Sequence, residues 1–465
     1  LTGESVGSAT TSDSVAANML TPNATSSSRP LAGGDSSGDS VATKDSDTNL
    51  PLATTPPEPI RVQIVSTEAL RVPQLREEAA RAGVQLATTL SDALQLADEL
   101  EIDRIDIATH QLVSAPVTIP RSDLILSSSL PGGTEILFRS TENVDMQRSE
   151  MMTIGSHRIE MSGLHFFWTV PATETDGGAL FAINDNRRVR LRDCTVTIDN
   201  ASRRDDVQAF SIVTDPERLP YDRIESGGVS DTSGALPLVS IELSNVIVRG
   251  QITMLRMDVA AELQLLWENG LLAVSRRMIE MGGALQPPHP SSGSVRLSLE
   301  QLTAITPKGL LQMRMGVSAP YPVEIERRAE ECVFVVDTGI PHIELTGIPR
   351  VDRDEIWVRL RGSGNAYDTD TALDDPMLLI RDELGQTRIT TMSDILEILE
   401  NPPPWMNERP PRWTVRWTEQ LPESTPSSRW SPRDFRQDGS VVGGFQERSL
   451  PRMPMERTFD FPPTP

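Results

Sequence analysis

One phrase recurs along this chain and constrains its fold more than any other feature. It reads Ile159-Glu160-Met161-Ser162-Gly163-Leu164, then Val189-Arg190-Leu191-Arg192-Asp193-Cys194. It returns as Ile241-Glu242-Leu243-Ser244-Asn245-Val246 and as Leu297-Ser298-Leu299-Glu300-Gln301-Leu302. Apolar and polar residues alternate, two small or polar residues turn the chain, and an apolar residue follows. Period-two alternation marks a strand with one buried face. Its recurrence marks a stack of repeated units.

Each copy belongs to a longer unit. After Val246 come Ile247-Val248 and Thr253-Met254-Leu255-Arg256-Met257; after Leu302 come Ile305 and Leu310-Leu311-Gln312-Met313. A looser unit reads Val323-Glu324-Ile325, Cys332-Val333-Phe334-Val335 and Ile343-Glu344-Leu345. Three short strands per unit predict an all-β chain folded as a right-handed parallel β-helix, with small helical caps and disordered or extended tails. A short strand cannot satisfy its backbone groups alone, whereas stacked units pair each strand with those above and below, about 4.8 Å away. A β-sandwich also uses many short alternating strands, but a recurring phrase favours stacked repeats. The units are read as starting at 159, 189, 241, 263, 297 and 323, with 215–236 as a loop inserted into one of them.

The remaining boundaries follow from composition. Residues 1–58, rich in Ser, Thr and Asp, read as a disordered linker. Residues 59–104 read as an α/β cap, in which Leu90, Ala93, Leu94, Ala97 and Leu100 share a helix face. The β-helix spans 105–361, a second cap 362–400 includes a helix started by Ser393, and 401–465 form a tail rich in Pro, Arg and Trp. Trp405, Trp413, Trp417 and Trp430 suggest that this tail is pinned against the repeats.

Charge narrows the partners. The 465 residues carry 66 acids and 43 bases, a net −23. Such a surface disfavours nucleic acid and anionic lipid. Lysine occurs only at Lys44 and Lys308, and Lys308 sits in the turn Thr306-Pro307-Lys308-Gly309. Cys194 and Cys332 cannot build a disulfide framework. They are expected as buried thiols four units apart. No apolar run reaches membrane-span length, so no membrane contact and a monomer are expected. Because the chain starts at Leu1, targeting signals are expected upstream.

Chemistry-bearing residues are sparse. Asp193 lies in a turn beside Arg190 and Arg192, which are read as its ion partners, and no adjacent unit places an acid beside it. No acid recurs at one outward site, so no catalytic residue is assigned. His165 is read as an outward strand residue. Arg190, Arg192, Asp193 and His165 are therefore the candidate binding residues. Asp205-Asp206 read as a loop after Arg203-Arg204. Asp368-Thr369-Asp370 with Asp374-Asp375 lacks the spacing of a calcium loop, the five histidines lack metal spacing, and no metal or cofactor is expected.

The runs Val189-Arg190-Leu191-Arg192-Asp193-Cys194-Thr195-Val196, Val246-Ile247-Val248-Arg249-Gly250-Gln251, Trp267-Glu268-Asn269-Gly270-Leu271 and Leu360-Arg361-Gly362-Ser363-Gly364-Asn365 carry a resemblance. Over roughly 60–400 the chain resembles the region that follows the kinase domain in planctomycete serine/threonine protein kinases, a region similar to pectin-lyase-like β-helices. The resemblance implies an upstream kinase, an extracytoplasmic or cell-envelope location, and a non-catalytic binding or scaffold role toward a cell-surface glycan or protein. No His-Arg-Asp or Asp-Phe-Gly motif occurs, so no kinase residue is carried over. The alternative is a carbohydrate-active enzyme of the polysaccharide lyase or glycoside hydrolase kind.

Overall fold

The chain pairs almost every described strand in parallel, with partner residues 21 to 52 positions apart in sequence. The structure, a computed structural model, describes residues 60–454 except 120–122, 140–149, 172–177, 185–186, 214–237, 289–293, 349–356, 369–375, 392–393, 395–405, 409–424 and 438–442. The linker reading of 1–58, the inserted loop at 215–236 and the helix after Ser393 fall outside those residues. So do Trp405, Trp413 and Trp417. Among the described residues the fold is all-β, with one sheet of eighteen strands, one of ten, and few helices.

The pairings form three ladders. The first contains Arg158–Ser162, Arg188–Arg192, the leading halves of Leu238–Gly250, Glu262–Val274 and Ser294–Ile305, then Glu324–Glu330 and Val358–Ser363. The second contains Leu164–Thr169, Thr195–Asp199, the trailing halves of the same three long strands, then Val333–Val335 and Ala366–Asp368. The third is the separate ten-stranded sheet, from Val117–Ile119 to Pro376–Asp382. The strand Thr387–Thr391 pairs antiparallel at its far end. Asn269-Gly270, a pair typical of hairpin turns, here lies inside Glu262–Val274, with both flanking segments parallel to their neighbours.

Alternation dictates what lies inside. Ile159, Val189, Ile241, Leu265 and Leu297 form one column of the first ladder, buried to 1% exposure or less. Phe181, Phe210, Leu255, Ile279 and Leu311 do the same in the third, with Phe181 and Phe210 stacked at 5.1 Å. Each such side chain stabilises the stack by roughly 1.5–3 kcal/mol. At the N-terminal end Arg61–Ile64 pairs with both Val84–Ala87 and Arg104–Ile107, extending the first ladder. The helix Leu90–Glu99 is capped by Thr89, which accepts from Asp92 N at 3.1 Å, and buries Leu90, Ala93, Leu94 and Ala97. Leu100 ends that helix and is exposed, so it leaves the face expected for it. No described helix is long and apolar enough to cross a membrane.

The register corrects two unit starts. The column through Ile159 continues to Leu265, not Leu263, and to Arg327, not Val323. The slips are of two and four residues, so they preserve which side chains face inward. The corrected spacing is 30, 52, 24, 32, 30 and 33 residues as far as Leu360. The shift also places Arg327 in an inward position. It is 1% exposed, donates from Nη1 to Tyr367 Oη at 2.7 Å and lies 5.1 Å from the centre of the Phe334 ring. Cys194 and Cys332 are buried and form no disulfide, and burial pushes the Cys194 thiol up to about 12.

Candidate functional site

The turn that closes the first ladder repeats in seven consecutive units, from Gly163 to Gly364. Gly163, Asp193, Asn245, Asn269, Gln301, Glu331 and Gly364 all have φ between 50° and 70°. L-residues other than Gly, Asn and Asp avoid this region at a cost of about 1 kcal/mol or more, so side-chain bonding must hold the others. Asn245 Nδ2 donates to Asp193 Oδ1 at 2.8 Å, Asn269 Nδ2 to Asn245 Oδ1 at 2.9 Å, and Gln301 Nε2 to Glu331 Oε2 at 3.0 Å. Asp193 is therefore one end of an amide ladder. Its partner is Asn245, and the expectation that Arg190 and Arg192 pair with it fails. Side chains alternate along a strand, so Arg190 faces the neighbouring strands, where Glu242 accepts from its Nε at 2.7 Å and from Arg188 Nε at 2.6 Å. Burial opposes ionisation of Glu242, but the two arginines hold its carboxyl below the usual glutamate range.

His165 is also not where expected. The turn before Gly133 folds over it, so it is buried, with Nδ1 3.0 Å from Thr195 Oγ1 and Nε2 3.1 Å from Gly132 O. Burial lowers its pKa, offset in part by the Gly132 carbonyl and by Glu135. A Cβ at Gly133 would meet the ring at 2.4 Å. This is a packed structural histidine.

Arg190 and Arg192 do line a groove of about 320 Å³ on the first ladder, with Glu268 and Glu300. Here a second expectation fails, because an acid does recur at one outward site. Glu268, Glu300 and Glu330 stand on successive strands in register. The misplaced starts at 263 and 323 hid this column. Among the described residues, no group of three or more His, Cys, Asp or Glu is placed to hold a metal ion.

A larger site lies on the turns between the second and third ladders. Three of four neighbouring units place there Arg203-Arg204, Arg276-Arg277 and Lys308, the unit between the first two contributing Gln251 instead, and the tail closes over them. Ser427–Arg429 and Pro432–Phe435 are short 3-10 helices of a strap. Phe435 and Leu450 pack on Ile247, Leu271, Ala273 and Ile305, which the long strands expose on the outside of the second ladder. Arg249 Nη1 donates to Trp430 O, Gln251 Nε2 to Ser428 Oγ at 3.2 Å, and Gln446 N to Asn269 Oδ1 at 2.6 Å. Trp430 thus meets the expectation that tail aromatics cover the repeats.

The cleft between strap and turns is about 830 Å³. Asn200 fixes one wall. It is fully buried, donates to Arg204 O at 2.8 Å and Gln251 O at 2.9 Å, and accepts from Arg204 N at 3.1 Å. That turn presents Arg203 in the left-handed region, φ 53°. Lys308 N donates to Arg276 O at 3.2 Å, so one basic turn stacks on the next. Arg204 grips Asp206 at 2.9 Å, which lowers the Asp206 pKa. Arg276 pairs with Asp205 and Glu280, and Arg277 pairs with Glu344 at 2.8 Å. Burial disfavours the Arg277 charge, with Glu344 opposing that effect. Asp205 and Asp206 are thus ion-paired parts of this wall. No family model, no curated protein and no solved structure matches this chain significantly.

Proposed function

We propose that the chain is a non-catalytic binding scaffold, built as a right-handed parallel β-helix, with the cleft under the strap as its ligand site. The observation that carries this reading is the cleft itself. On a chain of net charge −23, its lining holds seven basic side chains and four acidic ones. Its volume falls within the roughly 300–1,000 Å³ usual for ligand sites. Three ladders with continuous apolar columns and parallel register support the winding, because a stack of identical turns satisfies every strand edge but the last. By resemblance, the scaffold serves as the extracytoplasmic sensor part of a serine/threonine protein kinase and meets a cell-surface glycan or protein. Reading the coding sequence upstream tests that link, and the absence there of a kinase domain would remove it.

A carbohydrate-active enzyme is the second reading, favoured by the stack Glu268, Glu300 and Glu330, since such enzymes work with paired carboxylates. Purified protein assayed on pectate, alginate and neutral glycans, with calcium present, separates the two. The scaffold reading predicts neither unsaturated products nor new reducing ends. Turnover that vanishes in Glu300→Gln would replace it with the enzyme.

A further inference from the structure

The charges in the cleft do not cancel among themselves. Arg204, Arg276 and Arg277 are paired with acids. Arg203, Lys308, Arg314 and Arg429 line the same space and have no carboxylate within ion-pair distance among the described residues. Of the acids, Asp205 and Glu280 are taken by Arg276, Asp199 accepts from Ser428 Oγ at 3.2 Å, and Asp337 has no cation within ion-pair distance among the described residues, so the unpaired cations outnumber it. Like charges gathered on fixed turns repel one another, and the cost falls when an anion enters.

A second observation is independent of charge. Four residues lining the cleft carry a buried polar group with no hydrogen-bond partner among the described residues: Arg276 Nε, Arg277 Nη1, Ser427 Oγ and Trp430 Nε1. Every one of these can donate, and three can only donate. A buried donor left unmade costs about 1–3 kcal/mol, and such costs concentrate at functional sites. These donors lie beneath the lining, and what the lining itself leaves unanswered is positive charge. A neutral sugar supplies acceptors without charge, and a metal ion supplies the wrong sign.

From this we infer that the cleft binds a small ligand bearing two or more oxyanion groups, phosphate or carboxylate, between Arg203, Lys308 and Arg314 on the repeats and Arg429 on the strap. The inference rests on the scaffold reading and deepens it. Because Arg429 sits beside Ser428 and Trp430, which tie the strap to Gln251 and Arg249, the ligand bridges strap to repeats and holds the strap shut.

Calorimetric titration of the full chain with inorganic triphosphate and, separately, citrate tests this. Binding to at least one is expected, weakening as salt rises. The stronger of the two identifies the group. Lys308→Gln, Arg314→Gln and Arg429→Gln should each weaken it about tenfold, the loss expected for one charged hydrogen bond. Arg296→Gln, on the outer face of the first ladder, should change nothing. Melting temperatures without anion should match across the set, which separates lost binding from lost folding. The inference is overturned if neither anion binds, or if the three cleft variants bind like the parent. A neutral oligosaccharide that binds and is lost in Trp430→Ala would overturn it while leaving the scaffold reading standing.

Discussion

His342 makes stability depend on pH in a way that one substitution should abolish. It is buried 5.1 Å from the Tyr367 ring centre and 6.3 Å from that of Phe334, both edge-to-face, and its Nδ1 has no partner among the described residues. Burial, and then the positive charge of Arg327, lower its pKa to about 3 from the ordinary 6.5. A depressed pKa favours the neutral ring in the folded state. Above pH 6.5 neither state binds the proton, and the full stability is present. As pH falls below 6.5, the unfolded chain takes up a proton that the folded chain refuses. Stability then falls by about 1.4 kcal/mol per pH unit until pH approaches 3. Between pH 7.5 and 5.5 the loss from this group alone is about 1.4 kcal/mol. His342→Phe keeps a ring of similar shape and removes the titration. Urea unfolding of both proteins at pH 7.5, 6.5 and 5.5 measures the difference, and pH 5.5 stays above the pI of 4.7. Glu242, Asp206 and Glu447 have lowered pKa values and lose their contribution only below this window, while His165 titrates in both proteins and cancels. The variant should gain on the parent by about 1.4 kcal/mol from pH 7.5 to 5.5. Parallel curves would refute the buried, neutral His342.

Two further perturbations address the turns and the strap. Asn269→Ala should destabilise by about 2–4 kcal/mol, because alanine strains at φ 50° and leaves Gln446 N and Asn245 without their partner. Asn269→Gly, free of the strain, should cost about 1 kcal/mol less, and equal denaturation midpoints would contradict that account. Phe435→Ala should weaken docking of the strap by about 3 kcal/mol, since Phe435 is 2% exposed against Leu271 and Ile305. Limited proteolysis should then cut between 425 and 454 before any other described segment, and an unchanged cleavage pattern would count against the docking.

The strands were legible because inward burial imposes a period of two, and Ile159, Val189, Ile241 and Leu297 obey it without exception. The same periodicity cannot detect a slip of two, which preserves the inward face, so Leu263 and Val323 were misplaced and the column Glu268, Glu300, Glu330 was missed. Arg327 defied the pattern, since a charge at an inward position is tolerated only where Tyr367 and Phe334 receive it. His165 looked outward because alternation does not reveal a covering turn thirty-three residues earlier in sequence. The cleft was invisible for a related reason. Its cations come from turns of several units and from a strap about 120 residues beyond Lys308, and only the pairing brings them together.

The claim on which the account turns is that ligand binding occurs under the strap and not on the open face of the first ladder. Hydrogen–deuterium exchange with and without inorganic triphosphate distinguishes those places directly. The account predicts slowed exchange at Asn200–Arg204, Ser275–Arg277, Lys308-Gly309 and Ser427–Trp430, with Arg158–Ser162 and Arg188–Arg192 unchanged. Slowing confined to Arg188–Arg192 and its neighbours, or no slowing anywhere, would contradict it.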